Sequence, residues 1–323
     1  MDDAIDQAIC ERFKNAQRVL IMSHIRPDGD AIGSVVGLGL ALQQAGKIVR
    51  MVLADGVPSN FRYLVGSNQI IRKPDGNFDL VIVVDCSDPE RVGGSMSGYK
   101  PDINIDHHIT NLKYATLNLV EPEAVATAAV LTRHFPGWGL TITPEVANAL
   151  LTGLVSDTLG FRTANTTPHS LRQAADLMEQ GAVLSELYQR ALVGRSFEAV
   201  RYWGAGLARV QREDRLIWTS LTLADRVAVN YPGNDDADLV NVLSAIDGAD
   251  LMVIFVEQKG GYVKVSWRAQ PGFDVSTIAL GFGGGGHAAA AGAEINGSLE
   301  DVQEQVLRAT RSLLKNGIKG KPL

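Results

Sequence analysis

The chain has 323 residues, 46% of them hydrophobic, with a formal net charge of −6 and two cysteines. That length exceeds what one hydrophobic core usually serves, so two domains are expected, and an acidic balance without a long basic run weighs against a protein that tracks long duplex nucleic acid. Cys10 and Cys86 form no CxxC pair, no apolar run approaches the roughly 20 residues of a membrane span, and the acidic start "MDDAIDQAICERF" is unlike a signal peptide, so a cytoplasmic protein without structural zinc or a disulfide framework is expected.

The first half alternates. The pattern predicts a helix over 3–16, a strand over 17–23, a helix over 31–45 and a strand over 47–53. "DLVIVVD" (79–85) is a continuous β-branched run, as in a parallel strand buried on both faces, and "DINID" (102–106) is another short strand. Helices follow near 123–135, 144–159 and 168–180. Alternation of this kind predicts an α/β fold with a doubly wound parallel sheet over 1–185, whose ligands sit beyond the carboxyl ends of the strands. Residues 186–206 read as a linker helix. Over 207–323 the pattern changes to a smaller α+β domain, with one hairpin in "GLARVQREDRLIWTSLT" and another in "LMVIFVEQKGGYVKVSWRA" turning at Gly260–Gly261. Helices near 238–246, 274–281 and 299–315 complete it, and the tail "KNGIKGKPL" reads as a loose end.

Acidic and histidine residues collect at the ends of these elements. His24, Asp28 and Asp30 follow the first strand, Asp85 ends "VIVVD", Asp106, His107 and His108 follow "INI", and Asp157 ends an apolar helix. Each has an ordinary alternative. A loop aspartate turns the chain or caps a helix, and Asp30 could cap the helix beginning at Ala31. Four clusters in consistent positions are hard to explain that way. Carboxylates with imidazole and no thiolate suit Mn²⁺ first, with Mg²⁺, Co²⁺ or Zn²⁺ as alternatives. The number of donors suits two ions bridged by one carboxylate, an arrangement that produces hydroxide near neutral pH and clamps a phosphoryl group.

A second signal is "FGGGGHAAAAG", where Gly284, Gly285 and Gly286 lead into His287. It is neither a Walker A loop nor a dinucleotide fingerprint, yet its backbone N–H groups could approach a phosphate. Ser266 and Arg268 end a predicted strand nearby, and Arg268 could be a solvated side chain or a phosphate fork. Cys86 reads as a buried neighbour. His134 and His169 lack companions and read as surface residues, and Trp203, Trp218 and Trp267 read as packing.

These motifs, "HIRPDGDAIGS", "VVDCSDPERVG", "DHH", "SDTLGFRTANTTP" and the C-terminal "VKVSWRA" with "FDVSTIALGFGGGGHAAAAGAEI", strongly resemble those of the DHH phosphoesterase superfamily, in order and over nearly the whole chain. The resemblance is to its short two-domain members, which act on short oligonucleotides (nanoRNA) and on 3'-phosphoadenosine 5'-phosphate (pAp). It implies a catalytic domain over 1–185 that binds two metals and a DHH-associated substrate domain over 207–323. One ion would be held by His24, Asp28 and Asp85, the other by Asp30, Asp85, His107 and Asp157. Asp106 would orient His107, and His108 would face the substrate phosphate. Ser266, Arg268, Gly284, Gly285, Gly286 and His287 would hold the phosphate or terminal nucleotide, and Arg91 and Arg162 match positions in the extended motifs. The implied partners are short RNA or DNA, pAp or pApA, with no long duplex and no membrane; a homodimer is compatible with this. The glycine loop disfavours a family II inorganic pyrophosphatase, and the short chain disfavours a RecJ-like exonuclease. A cyclic-dinucleotide phosphodiesterase is the nearest rival. A non-catalytic nucleotide-binding protein would need a lost ligand, and none is lost.

Overall fold

The computed structural model describes residues 3–316. The expected loose tail lies, from residue 317, outside the described residues. The chain divides into two compact units, Met1–Gly194 and Arg195–Leu323. The first holds a six-stranded, all-parallel sheet of β1 (Arg18–Met22), β2 (Ile48–Val52), β3 (Ile70–Ile71), β4 (Leu80–Val84), β5 (Ile103–Asp106) and β6 (Leu117–Val120), in the order β3-β2-β1-β4-β5-β6. The order reverses between β1 and β4, and a crevice opens beyond the strand ends at such a point. Alternate residues of each strand serve opposite faces. Val19, Ile21, Ile82, Val84, Ile103 and Ile105 join one core, while Leu20, Met22, Val81 and Val83 pack with Val92, Met96, Tyr99 and Tyr114 on the other.

The helices of this unit are α1 (Asp3–Asn15), α2 (Gly29–Gln44), α3 (Thr127–His134), α4 (Pro144–Asp157), α5 (Pro168–Glu179) and α6 (Leu184–Tyr188). The cap of α2 is Asp28, whose Oδ1 accepts from the N–H groups of Asp30 and Ala31 at 3.1 Å each. Asp30 therefore sits inside the first turn, with its carboxylate available elsewhere. His134 is not a surface residue. It is buried, with Nδ1 2.6 Å from Asp6 Oδ1 and Nε2 2.8 Å from Glu121 Oε1, and Asp6 also accepts from Trp138 Nε1 at 2.9 Å. Burial lowers its pKa against the pull of Asp6. These companions come from α1 and from the end of β6, so no local sequence pattern announces them.

The linker helix expected over 186–206 is broken. After α6 the chain makes a π-turn (Gln189–Val193), Gly194 is extended, and Ser196 starts a new helix by accepting from Ala199 N–H at 3.1 Å. That helix, α7 (Phe197–Leu207), belongs to the second unit, with β7 (Gln211–Glu213), β8 (Leu216–Leu221), α8 (Leu223–Ala228), α9 (Leu239–Leu243), β9 (Leu251–Gln258), β10 (Tyr262–Ala269), α10 (Ser276–Gly281), β11 (Gly285–His287), β12 (Ala290–Asn296) and α11 (Leu299–Asn316). Its sheet runs β11-β12-β10-β9-β8-β7, antiparallel except for β8 with β9. Trp267 is fully buried in its core, with Nε1 donating to Thr310 Oγ1 at 3.2 Å. Among the described residues, no helix is long and apolar enough to cross a membrane.

Candidate metal centre

Strands β1, β4 and β5 are neighbours in the sheet, so the segments that leave their carboxyl ends converge. His24 and Asp28 come from β1, Asp85 from β4, and Asp106, His107 and His108 from β5. The first turn of α2 adds Asp30 and the last residue of α4 adds Asp157. Asp85 has φ 53, an uncommon conformation for a residue with a side chain, and its N–H is anchored on Ile105 O at 2.9 Å.

Two sets of donors face one carboxylate. His24 Nε2 lies 3.6 Å from Asp85 Oδ2 and 3.9 Å from Asp28 Oδ1. His107 Nε2 lies 3.8 Å from Asp85 Oδ1, 3.3 Å from Asp157 Oδ2 and 4.0 Å from Asp30 Oδ2. Donors bound to one ion at about 2.0–2.2 Å sit about 3–4 Å from one another, and His24, Asp28 and Asp85 form one compact group and Asp30, His107 and Asp157 another, with Asp85 meeting the second through His107. The imidazole tautomers agree. His24 Nδ1 can only donate to Ile25 O (2.8 Å), and His107 Nδ1 to Ala124 O (3.2 Å), so in the neutral ring each Nε2 keeps the lone pair that a cation would take. Without one, the neighbouring carboxylates raise the pKa of both rings against burial.

The electrostatics point the same way. Asp30 and Asp85 are each 1% exposed. Burial, and then the charge of Asp85, push Asp30 up to about 7; burial and then Asp30 raise Asp157 as well. Burial acts on Asp85 too, but His24, with His107 and His108, pulls it below the usual carboxylate range. A cluster in which carboxylates suppress one another's ionisation lacks positive charge. Divalent cations would supply it, and the donor set of carboxylate oxygen and imidazole nitrogen fits them.

His108 differs from the other two histidines. Its Nδ1 donates to Asp106 Oδ1 at 2.7 Å, so the 3.7 Å approach of the same nitrogen to Asp85 Oδ1 cannot supply a metal ligand. The expectation that Asp106 orients His107 is corrected here. Asp106 reaches His107 only through its backbone N–H (2.8 Å), and its side-chain partner is the ring of His108. The reason is directional: the ring of His107 is turned to Ala124 O, leaving His108 beside the carboxylate. Asp106 is held in turn by Asn111 Nδ2 at 2.5 Å, and Asn111 by Asn104 Oδ1 at 2.7 Å. Sequence reasoning missed Asn111, and also Thr127. Thr127 Oγ1 donates to Asp85 Oδ1 at 3.0 Å, while the N–H groups of Thr127 and Ala128 donate to Asp30 Oδ2 (2.6 Å) and Oδ1 (2.9 Å). A threonine starting a helix reads as a cap, so nothing local marked it. Arg91 and Arg162 are exposed; Arg91 O accepts from Ile25 N–H at 2.7 Å, and Arg162 Nε donates to Leu159 O at 3.2 Å.

In the second unit the register gathers the remaining candidates. Ser266 and Gly285 both stand opposite Gly292, and Arg268 and His287 both stand opposite Ala290, in rows two residues apart with the Trp267–Ala291–Gly286 row between them. The glycine segment, expected as a loop, forms edge strand β11 instead. Side chains at two of its positions would strike the neighbouring strand: a Cβ at Gly284 would lie 2.1 Å from Gly292 O, and one at Gly286 (φ 143) 2.5 Å from Ala290 O. These two glycines serve strand pairing, and a Cβ at Gly285 would meet open space. The side chain of His287 lies outside the described part. Arg268 is half-buried, its Nη1 donating to Trp267 O at 3.0 Å, and burial lowers its pKa against the pull of Asp236 and Asp238.

Residues 18–154 match the DHH family N-terminal domain and residues 225–316 the DHHA1 domain. The chain is 36% identical over 302 residues to the bifunctional oligoribonuclease and PAP phosphatase NrnA of Thermus thermophilus, covering 92% of this chain and 90% of that protein. It belongs to the DHH family. The protein of the same name from Bacillus subtilis is 27% identical, with 86% of this chain and 89% of that one covered. Among solved structures, an exopolyphosphatase-related protein from Bacteroides fragilis is similar with a TM-score of 0.89 at 25% identity, covering 97% of this chain and 98% of that one. The DHH match contains every candidate donor except Asp157, and the DHHA1 match contains Ser266, Arg268 and the glycine strand.

Proposed function

We propose that this DHH-family phosphoesterase hydrolyses short oligonucleotides to mononucleotides, and pAp, with two divalent ions, Mn²⁺ foremost. The observation that carries the reading is Asp85, which presents Oδ2 to the His24 set and Oδ1 to the His107 set. His24, Asp28 and Asp85 would hold one ion, and Asp30, Asp85, His107 and Asp157 the other. When bound, the ions would supply positive charge at the phosphoryl group and acidify water. Asp106 fixes the His108 ring through Nδ1, so its Nε2 carries the lone pair, or the proton, that a substrate oxygen can meet. Ser266, Arg268 and β11 would grip the terminal nucleotide or its phosphate. The preference for short substrates is supported by the net charge of −6 and by the names of the relatives that span the chain.

The test is a comparison of purified protein, stripped of metal and restored with Mn²⁺, Mg²⁺ or Co²⁺, on a dinucleotide, pAp, pApA, c-di-AMP, a five-mer and a 20-mer. Activity should vanish on stripping, return best with Mn²⁺, and fall from the five-mer to the 20-mer. Turnover without metal, or rates rising towards the 20-mer, would refute the proposal; a dominant rate on c-di-AMP or pApA would favour the rival phosphodiesterase. Arg268→Ala should keep its metal content and raise KM for a dinucleotide about ten- to a hundred-fold, the size of a charge-assisted contact to an anion. An unchanged KM would remove Arg268 from the substrate site.

A further inference from the structure

The bridging role of Asp85 requires its carboxylate plane to keep one orientation, and the torsion that sets this plane is broad and roughly two-fold when nothing holds it. Neither His24 Nε2, at 3.6 Å from Oδ2, nor His107 Nε2, at 3.8 Å from Oδ1, comes within hydrogen-bond length of it. The donor that does reach the carboxylate is the Thr127 hydroxyl, 3.0 Å from Oδ1. A carboxylate accepts only, so the direction of this bond is settled by chemistry. Thr127 is 0% exposed, so bulk solvent does not reach its hydroxyl.

The same residue ties the site to a second carboxylate. Ala126, at the cap position of α3, makes no side-chain capping bond, so the first N–H groups of the helix need an acceptor from elsewhere. Asp30 provides it, with one oxygen on Thr127 N–H and the other on Ala128 N–H. The start of α3 is thus completed by the site, and the site is braced by α3. The rest of the helix is anchored independently. Gln173 Nε2 of α5 donates to Ala129 O at 2.8 Å, and His134 at the far end is clasped by Asp6 and Glu121. A threonine side chain in a helix has few χ1 options, so a fixed helix gives a fixed hydroxyl.

We propose that Thr127 is the positioning residue of the metal centre, its hydroxyl holding Asp85 so that one oxygen serves each set of donors. The inference rests on the two-ion reading above. It assigns the hydroxyl a task that the bulk of the side chain cannot perform, which makes the isosteric valine the informative change. Without the hydroxyl the Asp85 carboxylate turns about its own bond, Oδ1 and Oδ2 no longer divide between the two sets, and one ion loses a ligand. Loss of a hydrogen bond that orients a ligand costs about ten- to a hundred-fold in metal affinity or activity.

The experiment titrates metal-stripped wild type, Thr127→Val and Thr127→Ser with Mn²⁺ by calorimetry, counts bound ions, and records the magnetic resonance signature of a coupled Mn²⁺ pair. Kinetics on a dinucleotide follow. The expected result is two ions and a coupled signal for wild type and Thr127→Ser. For Thr127→Val the expectation is an affinity for one ion lowered about ten- to a hundred-fold, a weakened coupled signal, and kcat reduced by a similar factor with KM nearly unchanged. Thr127→Ala repeats the measurement should the added methyl of valine disturb the packing, and circular dichroism checks the fold. The proposal is overturned if the valine and alanine variants bind both ions as wild type does, or if the serine variant is as impaired as valine, since bulk would then be the property in use. A wild type that never binds two ions is a different result, one that removes the two-ion reading itself and this proposal with it.

Discussion

Asp85→Asn lowers kcat by about 10³-fold or more, leaves the circular dichroism spectrum unchanged, and reduces the number of bound ions. The substitution preserves size and changes one oxygen into an amide nitrogen. Whichever way the amide settles, one set loses an anionic oxygen and faces N–H groups: His24 Nε2 at 3.6 Å on one side, or His107 Nε2 at 3.8 Å on the other. Losing a bridging ligand removes several kcal/mol of charge stabilisation at the phosphoryl group, and about 4 kcal/mol already amounts to a thousand-fold. No other candidate donor among the described residues approaches both Nε2 atoms, which is why the effect should exceed that of Asp28→Asn, whose side chain is 59% exposed. Metal counting, a melt and steady-state kinetics on one preparation decide the matter. Near-normal turnover with two bound ions would show that Asp85 bridges nothing.

The chemistry of this centre was legible because strands end where ligands collect. His24, Asp85 and the Asp106–His108 segment each follow an apolar run, and those runs proved to be the adjacent strands β1, β4 and β5. The remaining features depend on partners that local pattern cannot supply. Thr127 and Ala128 act on Asp30 from almost a hundred residues away, and both contacts use backbone N–H groups, which carry no side-chain signature. The partner of Asp106 turned on which of two consecutive imidazoles faces it, a matter of ring direction rather than of composition. His134 was misread because its two carboxylates lie on α1 and at the end of β6. The glycine segment was read for the approach of its backbone N–H groups to a phosphate, whereas Gly284 and Gly286 are required by the closeness of β12.

A similar closeness gives the second large effect. Gly153→Ala lowers kcat about a hundred-fold, although alanine is the better helix former by about 1 kcal/mol and the substitution lies outside the donor set. A Cβ at Gly153 of α4 would stand 2.6 Å from Asp30 Oδ1 and 2.6 Å from the Ala128 Cβ, the carboxylate and the helix start that hold each other. Real Cβ contacts are not that short, so the start of α3 must withdraw from Ala128's side and the Asp30 carboxylate must turn, which breaks the brace on the His107 set. Gly33→Ala is the natural control. Its Cβ would meet backbone, 2.4 Å from Ala149 O and 2.9 Å from Gly153 N, so relief requires α2 and α4 to separate. Overpacking of that kind costs about 1–3 kcal/mol of stability. The two variants should therefore divide by measurement. Gly153→Ala should show the larger loss of metal affinity and turnover, its overpacking partly offset by the gain in helix propensity, while Gly33→Ala should show the larger fall in melting temperature. A Gly153→Ala protein that melts higher than wild type and turns over normally would mean that Asp30 has room to spare, and that the glycine serves only the helix crossing.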